Sequence, residues 1–232
     1  MKPLMIFLCR NMKAKKKKSS FLYRNSLTIV FMLLFIFSLI GQAISGWKEH
    51  NEYLSDEGQN ELPFSDYLTS GHFIQATFEN WESEFLQMTL FVVLTIWLRQ
   101  KGSSESKPLE GDETDRNTKA KANSPWPVKK GGIILRLYEQ SLSIALFLLF
   151  ILSFVAHWYG SLNDYNLQQT LEHEPLAKAV DYLAMPKFWF ESFQNWQSEF
   201  LSVAAIVFLS IYFRQKGSAQ SKPVNAAYDE DE

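Results

Sequence analysis

Residues 78–108 of this chain occur twice. The first copy reads FENWESEFLQMTLFVVLTIWLRQKGSSESKP, and the second, at 193–223, reads FQNWQSEFLSVAAIVFLSIYFRQKGSAQSKP. The same offset of 115 positions continues without a gap from Tyr23 onward. It pairs Ser26, Leu27, Ile29, Leu33 and Leu34 with Ser141, Leu142, Ile144, Leu148 and Leu149, and it pairs Asp66-Tyr67-Leu68 with Asp181-Tyr182-Leu183. A match of this length predicts two copies of one structural unit.

The content of the unit sets its class. Four runs, 27–45, 85–98, 142–159 and 200–213, contain no Asp, Glu, Lys or Arg. Mean hydropathy over the whole chain is only -0.14, so the apolar residues are concentrated in these runs. A hydrocarbon core about 30 Å thick takes about 20 apolar residues of helix. The first and third runs meet that requirement. The second and fourth, 14 residues each, are extended N-terminally by Trp81 and Trp196, which suit the headgroup layer, and end at Arg99 and Lys101 or Arg214 and Lys216, which can snorkel. Backbone polar groups in lipid must be satisfied internally, which leaves helix as the form of each span. The expected fold is an all-α membrane protein with four transmembrane helices.

Charge sets the expected orientation. Residues 1–25 carry Lys2, Arg10, Lys13, Lys15, Lys16, Lys17, Lys18 and Arg24 and no acid, the mark of a cytoplasmic N-terminus. The Lys run is read as a juxtamembrane cluster and not as a nucleic-acid contact; Met12, just ahead of it, is an alternative start. The first apolar run is too long for a signal-peptide core and has a mid-chain counterpart, so it is read as a span. Residues 47–77 hold six acids against Lys48 alone and are placed outside. Within them Ser65 is expected to cap a short helix. The resulting division is a basic N-terminus (1–25), a first two-span hairpin (26–101), a flexible cytoplasmic linker (102–130), a second hairpin (131–216) and a polar, acidic cytoplasmic tail (217–232). Because each copy crosses twice, the hairpins share one orientation and form parallel repeats, with a pseudo-twofold axis along the membrane normal, as a four-helix bundle.

The segments GQAISGW at 41–47, SGHFIQATFENWESEFLQ at 70–87 and RQKGSSESK at 99–107 resemble a family of uncharacterised bacterial integral membrane proteins known only as a domain of unknown function. That resemblance implies a multi-pass protein of the bacterial inner membrane and implies no activity.

Residues shared by both copies are the candidate polar site. Glu84 and Glu199 stand immediately before an apolar run in each copy, where an ionisable group can mark an ion path or simply favour a helix N-terminal end. Asn80, Ser83 and Glu84 share a helix face, as do Asn195, Ser198 and Glu199, and helix-to-helix packing is the favoured role for that stripe. Glu79 and Glu82 become Gln194 and Gln197 in the second copy, so whatever depends on those acids belongs to the first half. His50, His72, His157 and His173 lack metal-ligand spacing, and no metal or cofactor is assigned. The single cysteine, Cys9, excludes an intrachain disulfide. No phosphate loop or nucleophile motif is present, and an enzyme is not expected.

Polar residues concentrated at span ends favour a non-enzymatic structural or interaction protein of the envelope. Its partners would be the lipid bilayer and either a second copy or another membrane protein. The alternative is a small transporter or channel in which Glu84 and Glu199 flank a path between the hairpins.

Overall fold

The computed structural model describes residues 20–109 and 120–228. Most of the basic N-terminal cluster, the middle of the linker and the final acids lie outside these residues. The described residues form helices and turns, with no strand among them. The helices are α1 (Phe21–Arg24), α2 (Ser26–Asp56), α3 (Phe64–Tyr67), α4 (Gly71–Leu94), α5 (Trp126–Lys130), α6 (Gly132–Glu139), α7 (Ser141–Leu171), α8 (Ala179–Tyr182) and α9 (Pro186–Tyr212).

The repeat is visible in helix boundaries and in local bonding. Shifted by 115 positions, the ends of α2 coincide with those of α7, the ends of α3 with those of α8, and the start of α4 with that of α9. Asn51 Nδ2 donates to the Leu62 carbonyl and its Oδ1 accepts from Leu62 N, at 3.0 and 2.9 Å; Asn166 does the same with Ala177, at 3.1 and 2.8 Å. Each asparagine ties the outgoing loop to the end of the long helix. That end is closed by a left-handed residue, Gly58 in one copy (φ 71°) and His173 in the other (φ 59°). His173 thus has a backbone role, as the counterpart of a helix-terminating glycine.

Short elements form for local reasons. The α4 helix begins with Ser70 Oγ accepting from Phe73 N at 3.2 Å, and α9 begins with Pro186 at a first-turn position, where its missing N–H costs nothing. Ser65 is not the cap of α3: the cap position is Pro63, two residues earlier, and the Ser65 hydroxyl donates to Asp66 Oδ1 at 3.0 Å. Gly71 opens α4, and the helix runs unbroken through Trp81 and Phe85 to Leu94.

The chain divides into two compact units, residues 1–48 and 49–232, with the boundary inside α2. In the first unit α2 carries its apolar side chains uncovered; Leu27 is 72% exposed and Phe37 77%. In the second unit α4 packs along α7 and, over a shorter stretch, on α9. The α4–α7 crossing is close because two glycines meet there. A Cβ on Gly71 would stand 2.5 Å from the Asp164 amide nitrogen, and one on Gly160 would collide with the main chain of Gln75. Two helices, α2 and α7, have the length and apolar content of a membrane span, and protein covers little of either.

At the opposite end of the second unit the repeated RQKGS segments close the helices. Arg99 Nη1 donates to the carbonyls of Thr95, Ile96 and Leu98, and Arg214 Nη1 to those of Ser210, Ile211 and Phe213. Both arginines therefore complement the carbonyl end of their own helix. The segment read as a flexible linker is partly folded. Ser103 Oγ lies 2.9 Å from Ser210 Oγ, Ser104 Oγ donates to the Gln220 carbonyl at 3.3 Å, and 126–130 form α5. The tail is likewise not wholly solvated, since Lys222 is 2% exposed and the Tyr228 ring lies under the Arg214 guanidinium at 5.7 Å.

Candidate functional site

Polar residues on one side of α7 recur at helical spacing: Ser153, His157, Ser161 and Asp164, all buried. In an apolar helix, side chains three and four apart lie above one another. This face is turned toward α4 and α9, and it meets acids from both.

His157 has no exposed surface. Its Nδ1 lies 2.6 Å from Glu82 Oε2, with Glu82 also fully buried, on α4. Its Nε2 lies 3.3 Å from Glu191 Oε2, on α9, and 3.9 Å from Glu79 Oε2, on α4. Three carboxylates thus converge on one imidazole. Glu82 Oε1 also accepts the Trp196 indole N–H at 2.9 Å. Glu191 Oε2 accepts from Ser161 Oγ at 2.6 Å, and that hydroxyl lies 2.6 Å from the Tyr182 hydroxyl. Glu79 accepts from Asn195 and Gln75. Phe188, fully buried, stacks on His157 with ring centroids 4.9 Å apart.

A second polar group lies farther along α7. His72 Nδ1 is 3.2 Å from the Tyr67 hydroxyl, its Nε2 is 3.4 Å from Glu49 Oε2, and its ring stacks on His50 at 4.9 Å. Asp164 lies within electrostatic reach of His72, Lys187 and His50 and also of Glu191. Burial, reinforced by Glu49 and Asp164, pushes the Tyr67 hydroxyl up to about 12. Burial raises the Tyr182 hydroxyl further. Both phenols stay neutral at ordinary pH.

The residues picked from sequence are arranged differently from one another. Glu84 and Glu199 do meet, with the carboxyls in hydrogen-bonding reach, but Glu84 is exposed and Glu199 only partly covered. Asn80, Ser83 and Ser198 bond to their own helix, at the carbonyls of Ala76, Asn80 and Asn195, each at 2.8 Å. Asn195 alone among them reaches the buried centre. Trp196, assigned to the interfacial belt, directs its N–H to Glu82. Trp81 rests against Phe78 at 5.0 Å.

Sequence reasoning set His157 aside and missed Glu191, which lies outside the apolar runs and has no acidic counterpart. A signal existed. At the positions equivalent to Glu79, Glu82, His157 and Glu191 the other copy has Gln194, Gln197, Gln42 and Ala76. Every ionisable residue of the centre is replaced by a neutral one, three of them by Gln, so the centre is built once per chain.

Over residues 18–232 the sequence matches the model of a family described as Domain of unknown function (DUF6766). The chain belongs to this family. No curated protein and no solved structure matches the DUF6766 chain. Its function must therefore be argued from the centre itself.

Proposed function

We propose that this DUF6766 protein is a multi-pass membrane protein that binds and passes a cation through the Glu79–Glu82–His157–Glu191 centre. The observation that carries the proposal is the full burial of His157 among three carboxylates on two other helices. An ionisable group costs about 2.5–3.5 kcal/mol at the centre of a membrane helix on insertion scales and less near its ends, where this centre lies. Three acids beside one histidine concentrate negative charge that protons or a metal ion must balance.

We read four crossings in this packing. The α4 and α9 helices are less apolar than α2 and α7, yet α4, with 24 residues at about 1.5 Å each, is long enough to cross. Its buried acid Glu82 faces protein, so it does not meet lipid. The recurrence of helix ends at 115 positions supports a duplicated hairpin, and the basic residues near 99–101, 129–130 and 214–216 favour a cytoplasmic side for both chain ends. The inner membrane of a bacterium is the location that fits.

A purely structural or interaction role is the other reading, since the centre lies near the ends of the apolar runs, but that role gives no reason for one histidine and three acids to converge on α4, α7 and α9. The transport alternative keeps its class and changes its site, from Glu84 and Glu199 to the centre on His157. Two experiments test the proposal. A topology reporter after Lys107 should report the cytoplasm and one after Gly58 the opposite side. Proteoliposomes should show cation or proton flux that His157→Gln abolishes; absent flux would contradict the assigned function.

A further inference from the structure

The two nitrogens of His157 have different surroundings. Nδ1 faces Glu82 alone, and Glu82 is itself fixed by the Trp196 indole N–H. Nε2 faces Oε2 of Glu191 and Oε2 of Glu79. Glu79, His157 and Glu191 each offer one nitrogen or oxygen atom within 4.8 Å of those of the other two. A carboxylate on one imidazole nitrogen, with the other turned toward further carboxylate oxygens, is the arrangement that orients metal-ligating histidines.

We propose that Glu79, His157 Nε2 and Glu191 bind a divalent first-row transition cation, with Glu82 positioning the imidazole. The proposal rests on the cation-handling function above and names its cation. Ligand atoms on a tetrahedral ion with bonds of about 2.1 Å stand about 3.4 Å apart. The Nε2 to Glu191 separation of 3.3 Å already fits, and the 3.9 Å to Glu79 closes with a small movement of the least buried side chain, which is 21% exposed. One imidazole with two carboxylates suits zinc, iron(II) or manganese(II) and disfavours copper(I), which prefers sulfur. Magnesium and calcium prefer an all-oxygen set, which a nitrogen donor spoils. Charge agrees: three carboxylates around one imidazole attract a dication more strongly than a monovalent metal ion, and any proton on Nε2 leaves as the metal binds.

The site also explains the asymmetry of the repeat. With Gln194, Gln197, Gln42 and Ala76, the equivalent positions offer no anionic or imidazole ligand. A duplicated scaffold carries one metal site per chain, and one Zn²⁺ per chain is the expected stoichiometry.

The test is equilibrium binding of Zn²⁺, and separately of Mn²⁺, to the full chain in nanodiscs, with Co²⁺ absorption as a report of coordination. Wild type should bind one ion per chain. Glu79→Gln and Glu191→Gln should each weaken binding at least tenfold, Glu82→Gln about 10–100-fold with the Co²⁺ spectrum kept, and Glu84→Gln should have no effect. Gln is the residue the repeat itself carries opposite Glu79 and Glu82, which favours folding of those variants. Absence of saturable binding of either ion, or binding unchanged in Glu191→Gln, overturns the metal assignment. If metal binding is absent while His157-dependent flux persists, the cation is a proton: the metal assignment falls and the transport function stands. Metal binding without flux keeps the assignment and removes the transport function.

Discussion

His157 Nδ1 lies 2.6 Å from Glu82 Oε2, and neither side chain has exposed surface. Removing one member of a buried charged pair leaves the other without compensation, at a cost of about 3–5 kcal/mol. Glu82→Ala is therefore expected to lower the unfolding free energy in detergent micelles by about that amount. The double variant Glu82→Gln, His157→Gln carries the amides found at Gln197 and Gln42 in the other copy. It should lose less than half as much, as measured by denaturant unfolding of both proteins under one condition.

The meeting of Gly71 and Gly160 brings the α4 and α7 backbones together a short distance from the centre. Gly160→Ala places a methyl against the Gln75 and Ile74 main chain, and backbone cannot move aside as a flexible side chain can. Overpacking of this kind costs about 1–3 kcal/mol or more. The expected outcome is a lower melting temperature, whereas Gly41→Ala, where the added carbon meets nothing within 4 Å, should leave it unchanged.

Tyr67 makes stability depend on pH at the alkaline end. Its folded value is raised from 10.0 to about 12, first by burial and then by Glu49 and Asp164. Between these values the unfolded chain has released the proton and the folded chain still holds it, so stability falls as pH rises from about 10 to about 12. Below pH 10 both states are protonated and this contribution is fully present. Unfolding measured at pH 9.5 and 11 should show the loss, and Tyr67→Phe should reduce the slope.

The helical class, the recurrence at 115 positions and one end of each long helix were legible because each is written in many residues, whereas the other helix ends run well past the apolar runs, to Asp56, Gly71, Leu171 and Pro186. An apolar run or an offset match survives individual substitutions. The centre was not legible because it is assembled from single positions on α4, α7 and α9, brought together only by the close α4–α7 crossing. Glu84 and Glu199 stand out in the sequence because they recur. Recurrence identified what the two copies share, namely helix starts, caps and exits, including the arginines that close α4 and α9. The buried chemistry lies where the copies differ, at Glu79, Glu82, His157 and Glu191. Trp196 was assigned to the membrane interface from its type and place, and its bond to Glu82 depends on a contact between distant parts of the chain.

Flux through proteoliposomes holding the Glu82→Gln, His157→Gln variant is the most direct measurement of the central claim, because these amides are already part of the repeat and the variant is expected to fold. Cation or proton flux should fall at least tenfold from wild type, while Glu84→Gln, Glu199→Gln proteoliposomes keep it. A folded Glu82→Gln, His157→Gln protein with wild-type flux would contradict a functional role for the buried centre.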